Sequence, residues 1–163
     1  DSVPQRFGTP SLALRCFSRT ESSIEHGRHK MERVLVIDDD PIYVKSTTAI
    51  LEAHGYQVES ASNREEGLAK MAEHKPDLLL LDVMMDWVLD GVSVSREMME
   101  QQDLRRIPIV MVTSILNSEY RGVFPQDEYL HIDSWLNKPC PPDKLVAEVE
   151  KTLARHKQYQ ERS

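Results

Sequence analysis

The stretch Pro76–Asp82 reads Pro-Asp-Leu-Leu-Leu-Leu-Asp. Four consecutive leucines without polar alternation predict a short strand buried on both faces, as in the centre of a parallel sheet. The run is far too short to cross a bilayer as a helix. A strand of this kind needs apolar cover on two sides, which commits the chain to a sheet layered between helices. Asp82 closes the run at the carboxyl end of the strand, where open α/β sheets gather their chemistry. A simple turn cap is the alternative for that side chain taken alone.

Other segments repeat the pattern. Arg33–Ile37 is a second apolar run and ends in Asp38-Asp39-Asp40-Pro41. Three acids in series repel one another, so a cation or a positive side chain is expected to offset them. Asp40 has a structural use as N-cap, with Pro41 at the first helical position. That helix is expected to run to about His54 and stop at Gly55. Asp38 and Asp39 have no such use. Tyr56–Ser60 alternates and predicts a strand nearer the sheet edge. Ser62 with Glu65 has capping-box spacing, and the helix that follows to about His74 is expected to bury Leu68, Met71 and Ala72. Asp90-Gly91 marks a turn, then a helix from about Val92 to Gln101 that buries Met98, with the Met98-Met99 pair read as core filler. Pro108–Ser114 is another buried strand and ends in hydroxyls. Residues 115–133 carry Gly122, Pro125 and several acids, so any helix there is expected to be short. Ser134–Asn137 is the last strand and runs into Lys138-Pro139. Pro142 opens a final helix with Leu145, Val146, Val149 and Leu153 on one face, and the chain is polar from Arg155. Five strand-helix units with continuous apolar strands predict an α/β fold: a parallel sheet, right-handed crossovers and helices on both faces.

Composition narrows the function classes. A chain of 163 residues accommodates one domain with tails. The net charge of −7 argues against a nucleic-acid surface but allows an acidic patch that holds a cation. Cys16 and Cys140 alone make neither a disulfide framework nor a zinc pattern, which suits a reducing cytoplasmic compartment. The six histidines show no H-x-x-x-H pair and read as surface or satisfied residues. Residues 1–30 lack any sustained period and hold Pro4, Gly8, Pro10, Gly27 and many Ser and Arg. They read as a disordered or non-native leader, with Met31 as the expected natural start. A transit peptide is the alternative, against which stand Asp1, Glu21 and Glu25. The expected organisation is leader 1–30, folded domain 31–157 and polar tail 158–163, with no membrane association.

In a parallel sheet the strand ends lie on one edge. The first delivers Asp38 and Asp39, the third Asp82, the fourth Thr113 and the fifth Lys138. Three carboxylates without soft ligands select a hard cation, Mg²⁺ or Mn²⁺ in its place, at roughly 2.0–2.1 Å for Mg²⁺. A carboxylate also serves as a nucleophile toward phosphorus, with the cation neutralising charge on the transferring group. A lysine offers a point charge for a phosphate oxygen and a hydroxyl one movable hydrogen bond. Lys138 as a surface lysine, Thr113 as a strand former and Trp135 as plain core are the corresponding structural alternatives.

These residues, in this order, resemble the receiver domain of two-component response regulators, of the chemotaxis-regulator-like kind. The resemblance rests on Asp38-Asp39, Asp82, Thr113-Ser114 and Trp135-x-x-Lys138-Pro139, and covers about Met31 to His156. It implies a flavodoxin-like five-stranded sheet of order 2-1-3-4-5. It implies that Asp82 accepts a phosphoryl group from a sensor histidine kinase or phosphotransfer protein, and that the domain catalyses only its own phosphorylation and dephosphorylation. It implies Mg²⁺ held directly by Asp39, Asp82 and the backbone carbonyl of Met84, and by Asp38 through water. Lys138 would contact the phosphoryl group. Thr113 and Trp135 would act as the switch, a downstream protein would dock on the 115–150 face, and Lys138-Pro139 would be cis.

The chain departs from the family pattern after the acceptor. Asp86 stands where a proline is usual, the loop to Asp90-Gly91 is one residue longer, and the Thr113–Lys138 section is long and lacks the customary Gly-Ala stretch. Met84 and Ile115, two past Asp82 and Thr113, are both apolar and cannot orient a water, so a long-lived aspartyl phosphate is expected. Two competing readings stay open. Asp38-x-Asp40 after a first strand resembles the haloacid-dehalogenase phosphatases, with Asp38 as nucleophile. A receiver-like interaction module that is never phosphorylated is the other.

Overall fold

The computed structural model describes residues 31–85, 90–114 and 132–162. The elements in chain order are β1 (Arg33–Ile37), α1 (Pro41–Ala53), β2 (Gln57–Ala61), α2 (Arg64–His74), β3 (Leu78–Asp82), α3 (Asp90–Glu100), β4 (Ile109–Thr113), β5 (Ser134–Asn137) and α4 (Pro142–Gln160). The sheet order is β2-β1-β3-β4-β5, and every neighbouring pair is parallel. This is the doubly wound, flavodoxin-like arrangement that the strand pattern predicts. The short helix expected between β4 and β5 falls on residues 115–131, which lie outside the described residues, as do Asp86 and the rest of the 86–89 loop.

The leucine run explains the two layers. Leu78 and Leu80 join Val34, Val36, Val110 and Val112 under α1 and α4, together with Leu51, Leu145, Val149 and Leu153. Leu79 and Leu81 point the other way and join Leu35, Ile37, Ile109 and Met111 under α2 and α3, with Met71, Val94 and Met98. All four leucines are at most 1 % exposed. Burying each contributes about 1.5–3 kcal/mol relative to leaving it in water.

The helix starts follow local chemistry, with two differences from expectation. Asp40 caps α1 as predicted, its carboxylate accepting from the amides of Ile42 and Tyr43. The helix ends at His54, and Gly55 takes a positive φ of 87°, which costs least without a Cβ. In α2 the cap is Asn63 rather than Ser62, and it accepts from the amide of Glu66. Glu66 in turn accepts from the amide of Ser62, one residue before the cap, so the start of the helix is closed by a variant of the capping box shifted one residue on. Ala72, expected inside, is exposed, and Gly67 takes the inner position with Met71. A Cβ on Gly67 would lie 2.3 Å from Cδ1 of Ile37, so a larger residue there must displace the end of that side chain. Helix α3 begins at Asp90, two residues earlier than predicted, and buries Val92, Val94 and Met98. Among the described residues no helix is long and apolar enough to cross a membrane.

Candidate functional site

Strand register brings the predicted residues together. Ile37 pairs with Leu81, so Asp38 and Asp82 are the next residues on adjacent strands. Asp82 stands opposite Val112, which puts Thr113 one step beyond it on the next strand. Thr113 pairs with Asn137, and the amide of Lys138 donates to the carbonyl of Thr113 at 2.9 Å. Four separate segments therefore converge on one edge of the sheet.

One carboxylate oxygen from each of Asp38, Asp39 and Asp82 lies within 4.8 Å of the others. Asp38 and Asp82 are buried and Asp39 is exposed, so the cluster opens to solvent on one side. Lys138 Nζ donates to Asp38 Oδ2 at 2.6 Å and to Asp82 Oδ2 at 3.0 Å. The other Asp38 oxygen accepts from the amide of Asp40 at 3.0 Å, and Asp82 Oδ1 accepts from the amide of Met84 at 3.1 Å. Each buried carboxylate is thus held by one amide and one shared ammonium. One ammonium cannot neutralise three carboxylates, and the donor set is all oxygen, which fits a hard divalent cation. Mg²⁺ keeps several waters and needs few protein ligands, which an open, half-exposed cluster allows.

The charges perturb one another as burial dictates. Desolvation pushes the Asp82 carboxyl above its ordinary range, and the Met84 amide and Lys138 only partly oppose this. Burial pulls the Lys138 ammonium down, but its bonds and charge interactions with Asp38 and Asp82 outweigh that, and the net direction is up. Lys138 is thus the cation that offsets the buried acids, and burial leaves Asp82 short of compensating positive charge.

The other predicted positions are placed as follows. Thr113 is fully buried at the end of β4. Trp135 stands opposite Met111 and packs, half-buried, against the core under α2 and α3. Met84 is 38 % exposed beside Asp82. The Lys138-Pro139 peptide is cis. Asp40 is the helix cap and lies outside the metal cluster. Cys140 is half-buried, and burial raises its thiol pKa. Ile115, expected to flank the phosphoryl group, lies outside the described residues. Sequence reasoning missed Tyr43, whose ring centroid lies 4.2 Å from Lys138 Nζ. The available signal was an aromatic in the first turn of the helix that leaves the acid run.

Comparison with known proteins agrees with this geometry. Residues 34–150 match the family model described as response regulator receiver domain. The chain is 32 % identical over 124 residues to the protein PilH of Pseudomonas aeruginosa, covering 76 % of this chain and 99 % of PilH. It is 36 % identical over 124 residues to the alkaline phosphatase synthesis transcriptional regulatory protein PhoP of Bacillus subtilis, again over 76 % of this chain but 49 % of that protein. It thus spans nearly all of one relative and about half of the other. Among solved structures, the CheY-like receiver domain protein of Methanospirillum hungatei superposes with a TM-score of 0.68 at 28 % identity, covering 79 % of this chain and 98 % of the other.

Proposed function

The chain belongs to the response regulator receiver domain family, and from that premise we propose that Asp82 is its phospho-acceptor. The observation that carries this is the meeting of Asp38, Asp39 and Asp82 within 4.8 Å, with Lys138 bridging two of them. An Asp82 oxygen attacks phosphorus on the phosphohistidine of a sensor kinase or phosphotransfer protein. The Oδ–P bond forms, the N–P bond breaks, and the leaving imidazole keeps the bonding pair and is protonated. The product is an aspartyl phosphate, which water later hydrolyses. Both steps are the domain's own, and no other substrate is turned over.

Asp39, Asp82 and the carbonyl of Met84 would hold Mg²⁺ directly, or Mn²⁺ in its place, and Asp38 through water. The ion supplies charge neutralisation at the transferring group. Lys138 then exchanges carboxylate oxygens for phosphoryl oxygens, which its movable ammonium can do without backbone change. Phosphorylation replaces the single negative charge of the Asp82 carboxylate with a phosphoryl group of about −1.5 to −2 near neutral pH. Thr113 donates to it only if the end of β4 shifts, and Trp135, two strand residues before Asn137, follows as the second half of the switch. Moving such a surface from mostly off to mostly on takes roughly 5 kcal/mol of differential binding. Two or three charge-assisted hydrogen bonds at about 1.5–3 kcal/mol each are of that size. A downstream protein docks on the 115–150 face, and the setting is the cytoplasm.

Incubation with acetyl phosphate and Mg²⁺, followed by intact mass, tests this. The protein gains one phosphoryl group, and Asp82→Asn gains none. Equal uptake by Asp82→Asn contradicts it. Hydrolysis of a phosphate monoester that survives Asp82→Asn and is lost in Asp38→Asn would instead favour the phosphatase reading. With apolar Met84 beside the acceptor, the label is expected to persist well beyond seconds in Mg²⁺ buffer.

A further inference from the structure

Lys138 has more than its two acids to hold it. An ammonium offers three N–H directions, and two of them end on Asp38 Oδ2 and Asp82 Oδ2. The ring of Tyr43 covers another side of it, with Nζ 4.2 Å from the centroid. That is inside the roughly 6 Å over which the negative face of an aromatic ring attracts a cation. The Lys138 side chain is only 17 % exposed, so this attraction acts with little water in between.

Tyr43 is fixed by the same acid run that builds the site. It is the third residue of α1, and Asp40 Oδ1 accepts from its amide at 3.3 Å and from that of Ile42 at 2.9 Å. Its hydroxyl is buried. Burial raises the phenol's pKa more than Thr47 lowers it.

The ring matters most when the acids are engaged elsewhere. A divalent cation at the acids would compete with Lys138 for their charge, and a lysine stem with weakened partners regains rotamer freedom and moves toward water. Tyr43 is no ligand for a hard ion, so its hold on the ammonium survives that competition. We propose that Tyr43 is a positioning residue for Lys138, its ring face keeping the ammonium at the acid cluster after a divalent cation has bound the carboxylates. The part this plays in phosphoryl transfer rests on the phospho-acceptor reading of Asp82. The placement itself does not.

The test replaces Tyr43 by Phe, by mono-, di- and trifluorinated phenylalanines, and by Leu. Fluorine drains the ring face of negative charge while nearly preserving shape. With saturating Mg²⁺ alone, the ε-methylene protons of Lys138 are expected upfield in the wild type and Tyr43→Phe. They should drift toward the free-lysine position along the fluorinated series and lie there in Tyr43→Leu. Phosphoryl uptake from acetyl phosphate is expected within about twofold of wild type in Tyr43→Phe and slowed about 3- to 30-fold in the trifluorinated and Leu variants. A response flat along the fluorinated series, or a Tyr43→Phe variant as slow as Tyr43→Leu, overturns the proposal. Should Tyr43→Leu fail to fold, the fluorinated series decides. Should the wild type itself take up no phosphoryl group, the acceptor reading falls and the Lys138 shifts alone decide.

Discussion

The two ends of the sheet use aspartates in opposite ways. At the amino end, Asp77 precedes β3 and Asp133 precedes β5. Asp77 Oδ2 accepts from the amide of Arg33 at 2.9 Å, and Asp133 Oδ2 accepts from the amide of Ile109 at the same distance. Each acid also pairs backbone to backbone with the same residue it clamps, Asp77 N to Arg33 O and Asp133 N to Ile109 O. At the carboxyl end, Asp38 and Asp82 each have one oxygen on an amide and the other on Lys138. A backbone amide is a fixed partner, whereas a lysine ammonium on four rotatable bonds is an exchangeable one. Identical side chains are thus fasteners at one end and replaceable contacts at the other. Only the second arrangement admits a metal ion and a phosphate.

Breaking the fastened end should cost the most. Asp77→Ala combined with Asp133→Ala leaves two strand amides without acceptors, at about 1–3 kcal/mol each, and the sites are separate enough to add. Urea denaturation should show that loss, while Mg²⁺ affinity stays unchanged. Gly67→Ala probes the strand that carries Asp38. Its Cβ would collide with Cδ1 of Ile37, which predicts about 1–3 kcal/mol of destabilisation. Adding Ile37→Val, which deletes that methyl, should recover much of it in a double-mutant cycle. At the exchangeable end, Lys138→Met removes the cation that competes with a metal for Asp38 and Asp82. Mg²⁺ affinity measured by calorimetry should rise about tenfold, or about 1.4 kcal/mol, while phosphoryl uptake falls.

The smallest effect concerns an acid in neither class. Glu66 is hydrogen-bonded by Lys70 and by Ser62, which hold its carboxyl down to about 2. Its folded value lies below its unfolded one, so its contribution is full above about pH 4.5 and is lost as pH falls toward 2. The side chain is 39 % exposed, so solvent screening keeps the contribution under about 1 kcal/mol. Glu66→Gln should therefore be slightly less stable than the wild type at pH 7 and equal to it near pH 2.

What could be read from the chain alone follows from what is local. The central strand was legible because four leucines without alternation admit few other structures. Asp38, Asp39, Asp82, Thr113 and Lys138 were legible together because a parallel sheet puts every strand end that follows the chain direction on one edge. The capping register of α2 was not. Ser62-Asn63-Arg64-Glu65-Glu66 contains two overlapping boxes, and the choice between them belongs to the packing of Gly67 and Met71 on β1. The exposure of Ala72 has the same cause. Tyr43 escaped notice because a ring and a cation have no characteristic sequence spacing, and its partner comes from the far end of the sheet.

The central claim is that Asp39 and Asp82 share one hard ion while Asp82 carries the phosphoryl group. A crystal structure of the protein with Mg²⁺ and beryllofluoride tests it directly. The account predicts beryllium bonded to an Asp82 oxygen, a single Mg²⁺ bound by Asp39 and Asp82, and Lys138 Nζ on a fluorine. Beryllium on another residue, or an ion that leaves either carboxylate free, would contradict it.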